Sequence, residues 1–484
     1  MPATQELYNT PLKVDEDDSK AANVDAIIIG AGIAGLTAAH GIHRAHLSVL
    51  VFEASDSVGG AIRTLRSNGY LVERGPNTLL DTHPEVATLI EEVSLSDARI
   101  FANDKAKKRF VVRNGVPVPL PTSAGAFLRT PLFSTRAKLR LTAEPFIRKR
   151  RTNGEESIAS FTTRRFGKEF LDYAIDPFVS GVYAGRPERL SVQHAFPKLG
   201  EIEERYGSLI IGQVLGARER KRRADTAKTS ARMFSFENGL DQLPLGIADA
   251  LGQRIRTRCR VRSIHYLDPN WQVEYEDASG RIRAANANSV VYASGLQYTS
   301  LIASLGSTAP EIETVDYPPL NVVALGFRTE DIGHALDGFG LLVPACEDRF
   351  VLGALFSSTL FDGRAPVGHA LITAFVGGAR SPDNASLDDA DLRSATTQDL
   401  TSLLQLKTGP VWHHISRWPK AIPQYNLGYG SVKAALNNIE ERHPGLFFAG
   451  NYLSGISVAE SIRSGVTASE HVESFIRKSQ PVVI

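Results

Sequence analysis

The chain has little cysteine, no long hydrophobic run and no excess of charge of either sign. Cys259 and Cys346 are the only cysteines among 484 residues, which excludes a disulfide framework and favours a reducing compartment. No apolar stretch reaches the roughly 20 residues that a bilayer-spanning helix needs. Because 54 basic residues balance 53 acidic ones, general nucleic-acid binding is disfavoured. The length predicts two or three domains.

The first 23 residues show no targeting pattern either. They carry a run of acids from Asp15 to Asp18, whereas a signal peptide needs an apolar run and a transit peptide is poor in acids and rich in arginine. We therefore expect residues 1–23 to form a flexible tail.

The next stretch reads as strand, glycine turn, helix and strand. DAIIIG is followed by a predicted helix from Ala34 to about His46 and then by SVLVFEA. Two continuous apolar strands joined by a helix are typical of a parallel βαβ unit that is buried on both faces. Further strands at 289–295 and 446–451 predict that this parallel sheet is assembled from distant pieces of the chain.

The turn has the G-x-G-x-x-G spacing of a dinucleotide site. Gly30 permits the tight bend, Gly32 lets the backbone approach a pyrophosphate, and Gly35 lets the helix pack closely on the strand. The pyrophosphate binds the free N–H groups at the helix N-terminus. Glu53 ends the second strand, where its carboxylate can accept from ribose hydroxyls. This turn alone leaves nicotinamide and flavin cofactors equally open.

Two further segments favour a flavin. ASDSVGGAIRTL resembles the GG-x-x-R-T continuation of glutathione-reductase-like and amine-oxidase-like FAD proteins, in which Arg63 would bind the pyrophosphate. LFFAGN resembles their second FAD signature, although many members have Asp where Asn451 stands. A helix beginning near Ser457 could direct its N-terminus at the flavin N1–C2=O edge and favour the reduced state. No cysteine lies near this signature, so we expect non-covalent FAD.

Longer strings make the resemblance specific. The segments GPNT (75–78), 166–199, FSFENGLDQLP (234–244), RWPKAIPQYN (417–426) and FFAGNYLSGISV (447–458) are similar to those of protoporphyrinogen oxidases. The resemblance covers nearly everything from Val24 to about Ile476.

The resemblance implies a combined α/β and α+β fold of the p-hydroxybenzoate-hydroxylase and amine-oxidase type. A Rossmann-like FAD-binding domain is expected from 24–104, 233–298 and 430–484. A mostly helical membrane-binding domain is expected at 105–210, and a mixed β-sheet substrate domain at 211–232 and 299–429.

The same resemblance assigns residues to two sites. Those expected around FAD are Gly30, Ala31, Gly32, Ile33, Ala34, Gly35, Glu53, Ala54, Gly60, Arg63, Gly75, Pro76, Asn77, Thr78, Val261, Trp418, Gly450, Asn451, Ile456, Ser457 and Val458. For the substrate, it implies that Arg109 holds a propionate, Gly181 lines the pocket, and Leu342, Leu355 and Phe375 sandwich the macrocycle. A flat apolar tetrapyrrole with two propionates fits such a slot.

The implied reaction is carried by the flavin, with no catalytic side chain and no metal. Three two-electron hydride transfers would give protoporphyrin, with O2 or a quinone as the acceptor. The adjacent His413 and His414 in a predicted strand would point to opposite faces and cannot share a metal. Alternatives are a coproporphyrinogen oxidase, an amine oxidase or carotenoid desaturase, and a non-catalytic porphyrin-binding or membrane-surface protein.

A basic, apolar stretch indicates a membrane surface. Residues 123–152 interleave Phe, Leu and Ile with at least eight Lys and Arg residues, and RERKRR (218–223) adds a second basic run. Prolines at 121, 131 and 145 predict several short helices. We expect a monotopic protein, on the cytoplasmic face in a bacterium or in an organelle of a eukaryote. The family resemblance further implies a homodimer, and hand-off to ferrochelatase is a further expectation; no nucleic-acid partner is expected.

Overall fold

The computed structural model describes residues 23–150, 154–222, 232–305 and 309–479. The predicted tail therefore lies outside the described residues except for Asn23, which begins the first strand. The basic run at 218–223 ends outside the described part, and no helix within the described ranges is both long and apolar enough to cross a membrane.

The first stretch of chain forms the predicted βαβ unit and further short strands. Its elements are β1 (Asn23–Ile29), α1 (Ile33–Arg44), β2 (Val49–Phe52), β3 (Thr64–Ser67), β4 (Tyr70–Glu73), β5 (Leu79–Leu80), α2 (Pro84–Glu92) and β6 (Arg99–Phe101). The strands β3 and β4 form a two-stranded sheet, and the short strands β5 and β6 pair with a later strand. The strands β1 and β2 are parallel, and all four residues of β2 are buried. The parallel unit predicted from the apolar runs is confirmed.

The second stretch begins with a hairpin and continues as helices. Its elements are β7 (Phe110–Arg113), β8 (Val116–Pro119), α3 (Ala124–Arg129), α4 (Thr135–Thr142), α5 (Ile158–Phe166), α6 (Lys168–Phe170), α7 (Asp176–Tyr183), α8 (Val192–Ala195), α9 (Pro197–Tyr206) and α10 (Leu209–Arg222). A π-helical turn at Leu171–Ile175 joins α6 to α7. Short helices between the prolines match the prediction.

The third stretch returns to the first sheet. Its elements are β9 (Met233–Phe236), α11 (Gln242–Leu251), β10 (Ile255–Arg256), β11 (Arg260–Leu267), β12 (Asn270–Glu276), β13 (Ile282–Tyr292) and α12 (Thr299–Ala303). The strand β13 lies parallel beside β1, although more than 250 residues separate them.

The last stretch supplies a second sheet and closes the first. Its elements are α13 (Pro310–Glu313), β14 (Leu320–Arg328), β15 (Gly340–Leu342), β16 (Gly353–Leu355), α14 (Ser357–Leu360), β17 (His369–Gly377), α15 (Asp389–Leu404), β18 (Trp412–Trp418), α16 (Tyr429–Arg442), β19 (Leu446–Phe448) and α17 (Val458–Ser479).

Two larger sheets organise the described chain. The sheet that holds the predicted cofactor turn, here called the cofactor sheet, has the order β10-β2-β1-β13-β12-β11, with β19 also paired to β13. The sheet that holds the predicted substrate residues, here called the substrate sheet, has the order β18-β14-β17-β16-β15-β7-β8. Helices α1, α11 and α17 cover one face of the cofactor sheet. Gly465 lets α17 approach α1 closely, since a Cβ there would overlap the backbone of Ala34. The discontinuous cofactor sheet predicted from sequence is confirmed.

The helical domain was expected to begin at residue 105, but the strands β7 and β8, which follow that residue, belong to the substrate sheet. Residues 211–222 were expected in the substrate domain, but they continue the helix α10, which packs on α9. The hairpin was hard to see because β8 reads VPVP. Proline is tolerated in it since β8 is an edge strand, where a missing N–H breaks no ladder.

Candidate active site

The glycine turn is shaped by its own backbone. Gly30 has φ +103°, a conformation that favours glycine, and its N–H donates to the Phe52 carbonyl at 2.8 Å. A Cβ on Gly35 would overlap the Gly30 carbonyl oxygen, whereas a Cβ on Gly32 would meet no atom within 4 Å. Gly35 is therefore needed by the fold, and Gly32 faces open space at the N-terminus of α1. Ala31, Ile33 and Ala34 are buried beside it.

Glu53 lies beside the same turn. One carboxylate oxygen accepts from the Ala31 N–H at 2.8 Å, and the other accepts from the N–H and the hydroxyl of Ser55 at 2.8 and 2.7 Å. These bonds hold the Glu53 side chain in place at the end of β2, next to exposed Ala54. Val261 is buried at the start of β11, close to the Glu53 backbone, which accepts from the Cys259 N–H at 2.8 Å.

The predicted pyrophosphate segment folds back onto the turn. Gly59 forms a parallel bridge with Gly32, and a Cβ on Gly60 would lie 3.2 Å from the Gly32 Cα. Arg63 donates through Nε to the Gly60 carbonyl at 3.0 Å, so its guanidinium is fastened beside this loop. The chain thus brings both glycine motifs and Arg63 to one place.

The Gly75–Thr78 turn lies against Trp418. The indole Nε1 donates to the Arg74 carbonyl at 2.7 Å, and a Cβ on Gly75 would lie 3.7 Å from the indole ring. Asn77 donates through Nδ2 to the Gly75 carbonyl at 2.9 Å, which stabilises the turn around Pro76. One end of the substrate sheet therefore touches a predicted cofactor turn.

The second signature follows β19, which pairs with β13. Gly450 has φ +154° and its N–H donates to the Ser464 hydroxyl at 2.9 Å, while the Asn451 carbonyl accepts from the Tyr425 hydroxyl. Ser457 caps α17 by accepting from the Glu460 N–H at 3.1 Å, so Ile456, Ser457 and Val458 form the helix N-terminus. The helix start predicted near residue 457 is confirmed.

These segments fit a dinucleotide with a flavin. The open space at Gly32 lies at a helix N-terminus, where pyrophosphate oxygens bind backbone N–H groups. The fixed carboxylate of Glu53 suits ribose hydroxyls, and a second helix N-terminus at Val458 suits the N1–C2=O edge of a flavin ring, where negative charge develops on reduction.

Three predicted substrate residues share one face of the substrate sheet. Leu342 lies opposite Gly353, which lies opposite Phe375, and Leu355 is two residues beyond Gly353. Side chains two residues apart along a strand point to the same side. All three are half-buried, whereas the alternating residues Leu341, Ala354 and Ala374 are 2% exposed or less.

Gly181 forms a wall over this face. It lies in α7, and a Cβ there would lie 2.5 Å from Leu342 Cδ2. Arg380, from the loop after β17, holds the helix in place by donating to Asp176 and to the Ser180 hydroxyl, each at 2.9 Å. Burial raises the pKa of Asp176, and the Arg380 guanidinium opposes that shift.

Arg109 precedes β7, which runs parallel to β15 with Val111 opposite Leu342. Alternation from Val111 places Arg109 on the same face as Leu342. Its side chain is exposed, and its guanidinium lies 5.3 Å from the centre of the Phe339 ring. Within the described ranges Arg109 has no ion pair, so its charge is available to an anionic group.

Sequence reasoning missed a polar pair on this face. Thr373 lies opposite Leu355, and its hydroxyl is 2.8 Å from the hydroxyl of Ser357. The available signal was the period of two along β17, since Thr373 and Phe375 must face the same way. The contact with Ser357 could not be predicted, because it depends on the turn into α14.

The family comparison matches residues 33–473 to proteins described as flavin containing amine oxidoreductases. The chain is 34% identical to protoporphyrinogen oxidase 2, chloroplastic/mitochondrial, of Arabidopsis thaliana, over 93% of this chain and 94% of that protein. It is 25% identical to coproporphyrinogen III oxidase of Bacillus subtilis (strain 168), over 91% and 96%. A solved structure from Exiguobacterium sp. 255-15 superposes with a TM-score of 0.79 at 23% identity, over 94% and 99%, which shows a shared fold.

Proposed function

Because the chain belongs to the family of flavin-containing amine oxidoreductases and is an FAD-dependent oxidoreductase, we propose that it oxidises protoporphyrinogen IX to protoporphyrin IX. The reaction is three two-electron steps with O2 or a quinone as the final acceptor. The observation that carries the proposal is the shared face of Leu342, Leu355 and Phe375, with Gly181 above it and Arg109 at its edge. The 34% identity to a protoporphyrinogen oxidase supports it.

When bound, FAD supplies the two-electron oxidant. The chain contributes binding, orientation and exclusion of water. Leu342, Leu355 and Phe375 contact the apolar macrocycle, and Arg109 binds a propionate through a charge-assisted hydrogen bond. Positioning of this kind accounts for much of an enzymatic barrier reduction.

The balance of charge around the slot favours two propionates over four. Arg113 donates to Glu169 at 2.8 Å, and Arg380 donates to Asp176, so both guanidinium groups are neutralised within the protein. Arg109 is left to meet the substrate. Coproporphyrinogen III has four propionates and is the less favoured substrate. It stays the alternative because the chain is also similar to a coproporphyrinogen oxidase.

The test is a comparison of both porphyrinogens on one preparation. The protein, purified in detergent, should show a flavin spectrum, and initial rates of porphyrin fluorescence should give a higher kcat/KM for protoporphyrinogen. A higher kcat/KM for coproporphyrinogen would replace the proposal by the alternative, and a colourless, inactive protein would revive the non-catalytic interpretation.

We further propose that the helical segment rests on a membrane surface. Leu128, Leu139 and Phe146 are 68%, 66% and 87% exposed, in a stretch rich in arginine. Exposed apolar side chains among basic ones are typical of an interfacial segment attracted to anionic lipid. The protein should pellet with anionic vesicles, less so as salt rises, and Phe146→Glu should weaken pelleting while leaving activity in detergent unchanged. Pelleting unaffected by either change would contradict this surface.

The family resemblance also supports a homodimer, and hand-off of the product to ferrochelatase is a further proposal. Sedimentation in detergent should give twice the monomer mass.

When ferrochelatase is added in excess, porphyrin should pass to it without the accumulation of free, fluorescent porphyrin in solution. Accumulation of free porphyrin would contradict the hand-off.

A further inference from the structure

A buried carboxyl group lies between the cofactor turn and the substrate sheet. Glu73 ends β4, two residues before Gly75, and is 5% exposed. One oxygen accepts from the Thr64 hydroxyl at 2.7 Å and the other from the Leu240 N–H at 2.9 Å. Arg364 lies 3.8 Å away, but it is mainly engaged by the Ser235 hydroxyl and nearby carbonyls.

Glu73 lines a small cavity that reaches both halves of the site. Asn77 from the cofactor turn, Ser357 and Arg364 form its other polar walls, and Leu71, Leu360 and Phe361 form its apolar walls. Such a space has room for about one water molecule with several polar partners. The Ser357 hydroxyl is also 2.8 Å from the hydroxyl of Thr373, on the substrate face. Ser357 therefore joins that face to the cavity beside Glu73, and one water molecule in the cavity would complete a polar path between them.

The proposed reaction needs a proton acceptor on the substrate side. In each two-electron step, a meso C–H bond breaks and its electron pair leaves as a hydride for the flavin. One proton leaves as well. In two of the three steps it comes from a pyrrole N–H with formation of an imine, and in the other it comes from a meso carbon by tautomerisation, so that the porphyrin keeps two N–H groups. Reduction of O2 to H2O2 consumes the hydride equivalent and one proton, so that the substrate loses two hydrogens and H2O2 gains them. A slot walled by Leu342, Leu355 and Phe375 offers no base of its own.

We propose that Glu73 accepts the proton that the porphyrinogen releases in each step, through the hydroxyl of Ser357 and one water molecule in the cavity, and returns it when O2 is reduced. This inference rests on the proposed function. Glu73 acts through Ser357 and touches neither the substrate nor the flavin directly.

The environment of Glu73 suits this exchange. Burial raises its pKa to about 7, although the Thr64 hydroxyl, the Arg364 guanidinium and the Leu240 N–H oppose the shift. Among the described residues Asp241 also faces Glu73 and raises its pKa further, and Asp241 is itself paired with Arg66 at 2.6 Å. A base with a pKa near the working pH can both accept and return a proton.

The first test compares Glu73→Gln with Asp241→Asn, a nearby carboxylate that does not line the cavity. In the wild-type holoenzyme kcat should rise with pH through a step near 7, because only the ionised carboxylate accepts a proton. Glu73→Gln should lose that step and lower kcat about a hundredfold, whereas Asp241→Asn should keep it. An active Glu73→Gln enzyme with an unchanged rate and pH profile would overturn the inference and leave the proposed function standing.

A second readout does not depend on turnover. Because the folded pKa of Glu73 is raised from 4.5 to about 7, the folded state loses stability as pH rises between these values. The unfolding equilibrium constant should increase about 300-fold across that range in the wild type relative to Glu73→Gln. The absence of this difference would show that Glu73 does not titrate as required.

Ser357→Ala tests the proton path without disturbing the surroundings of Glu73, because it leaves both hydrogen bonds of Glu73 in place. It should lower kcat at least about tenfold with KM and the flavin spectrum unchanged, and it should keep the pH dependence of stability. An unchanged kcat would contradict the path through Ser357 even where Glu73→Gln fails to fold.

Discussion

The cofactor sheet and the substrate sheet contribute to the proposed function in different ways. Around the cofactor sheet the proposed cofactor contacts come from backbone: Gly32 leaves open space, and α1 and α17 present their N-termini. On the substrate sheet the proposed substrate contacts come from the side chains of Leu342, Leu355 and Phe375, which meet only through strand register. The proposed cofactor site can be predicted from the local spacing of glycines in the sequence. The proposed substrate site forms only when strands that are distant in the sequence pair with each other.

The largest expected effect lies in the glycine turn, where Gly35 is needed for folding and Gly32 is proposed to be needed for FAD binding. Gly35→Ala would place Cβ against the Gly30 carbonyl oxygen, and we expect at least about 3 kcal/mol of destabilisation. Gly32→Ala meets no protein atom, so it should fold normally and lose FAD affinity by about a hundredfold. Thermal unfolding and flavin titration of both variants check this. Normal FAD binding by Gly32→Ala would show that the pyrophosphate lies elsewhere.

The next effect concerns the exposed cation of the substrate sheet. Arg109→Ala removes a charge-assisted contact worth roughly 1.5–3 kcal/mol, so KM should rise about ten- to hundredfold with the flavin spectrum unchanged. Lys107→Ala is the matched control, since Lys107 is exposed and pairs with Asp104 at 2.9 Å. Steady-state kinetics of the two variants provide the measurement. Equal KM values for both would make Arg109 an ordinary surface charge.

The smallest effect tests the contact between α7 and the substrate sheet. Gly181→Ala pushes Cβ towards Leu342 Cδ2, the flexible end of a side chain, so we expect a cost of about 1 kcal/mol and a KM raised about fivefold. In a Leu342→Ala background the same substitution should cost much less. Gly200→Ala, whose Cβ meets no atom within 4 Å, is the control. Additive effects of the two substitutions would contradict a shared wall.

Local patterns predicted the cofactor side well. The apolar runs of β1 and β2, the late strands β13 and β19 and the start of α17 at Val458 all follow from periodicity and glycine spacing. The opposite orientation of His413 and His414 follows equally from their place in β18.

The substrate side resisted prediction for physical reasons. Residues such as Leu342 and Phe375 have the composition of ordinary core, and only a family resemblance separated them from it. The hairpin β7–β8 was hidden by the prolines of an edge strand, and the position of Ser357 depends on a turn between distant strands. Glu73 escaped notice because its burial arises from segments far away in the chain, including Leu240 and Arg364.

Anaerobic mixing of the flavin-loaded protein with a single equivalent of protoporphyrinogen tests directly whether the two sheets form one active site. The flavin absorbance should bleach in one turnover, faster than with coproporphyrinogen at the same subsaturating concentration. Arg109→Ala should slow this bleaching while still reaching full reduction at high substrate. A flavin that stays oxidised with protoporphyrinogen would contradict the claim that the two sheets form one active site for this substrate.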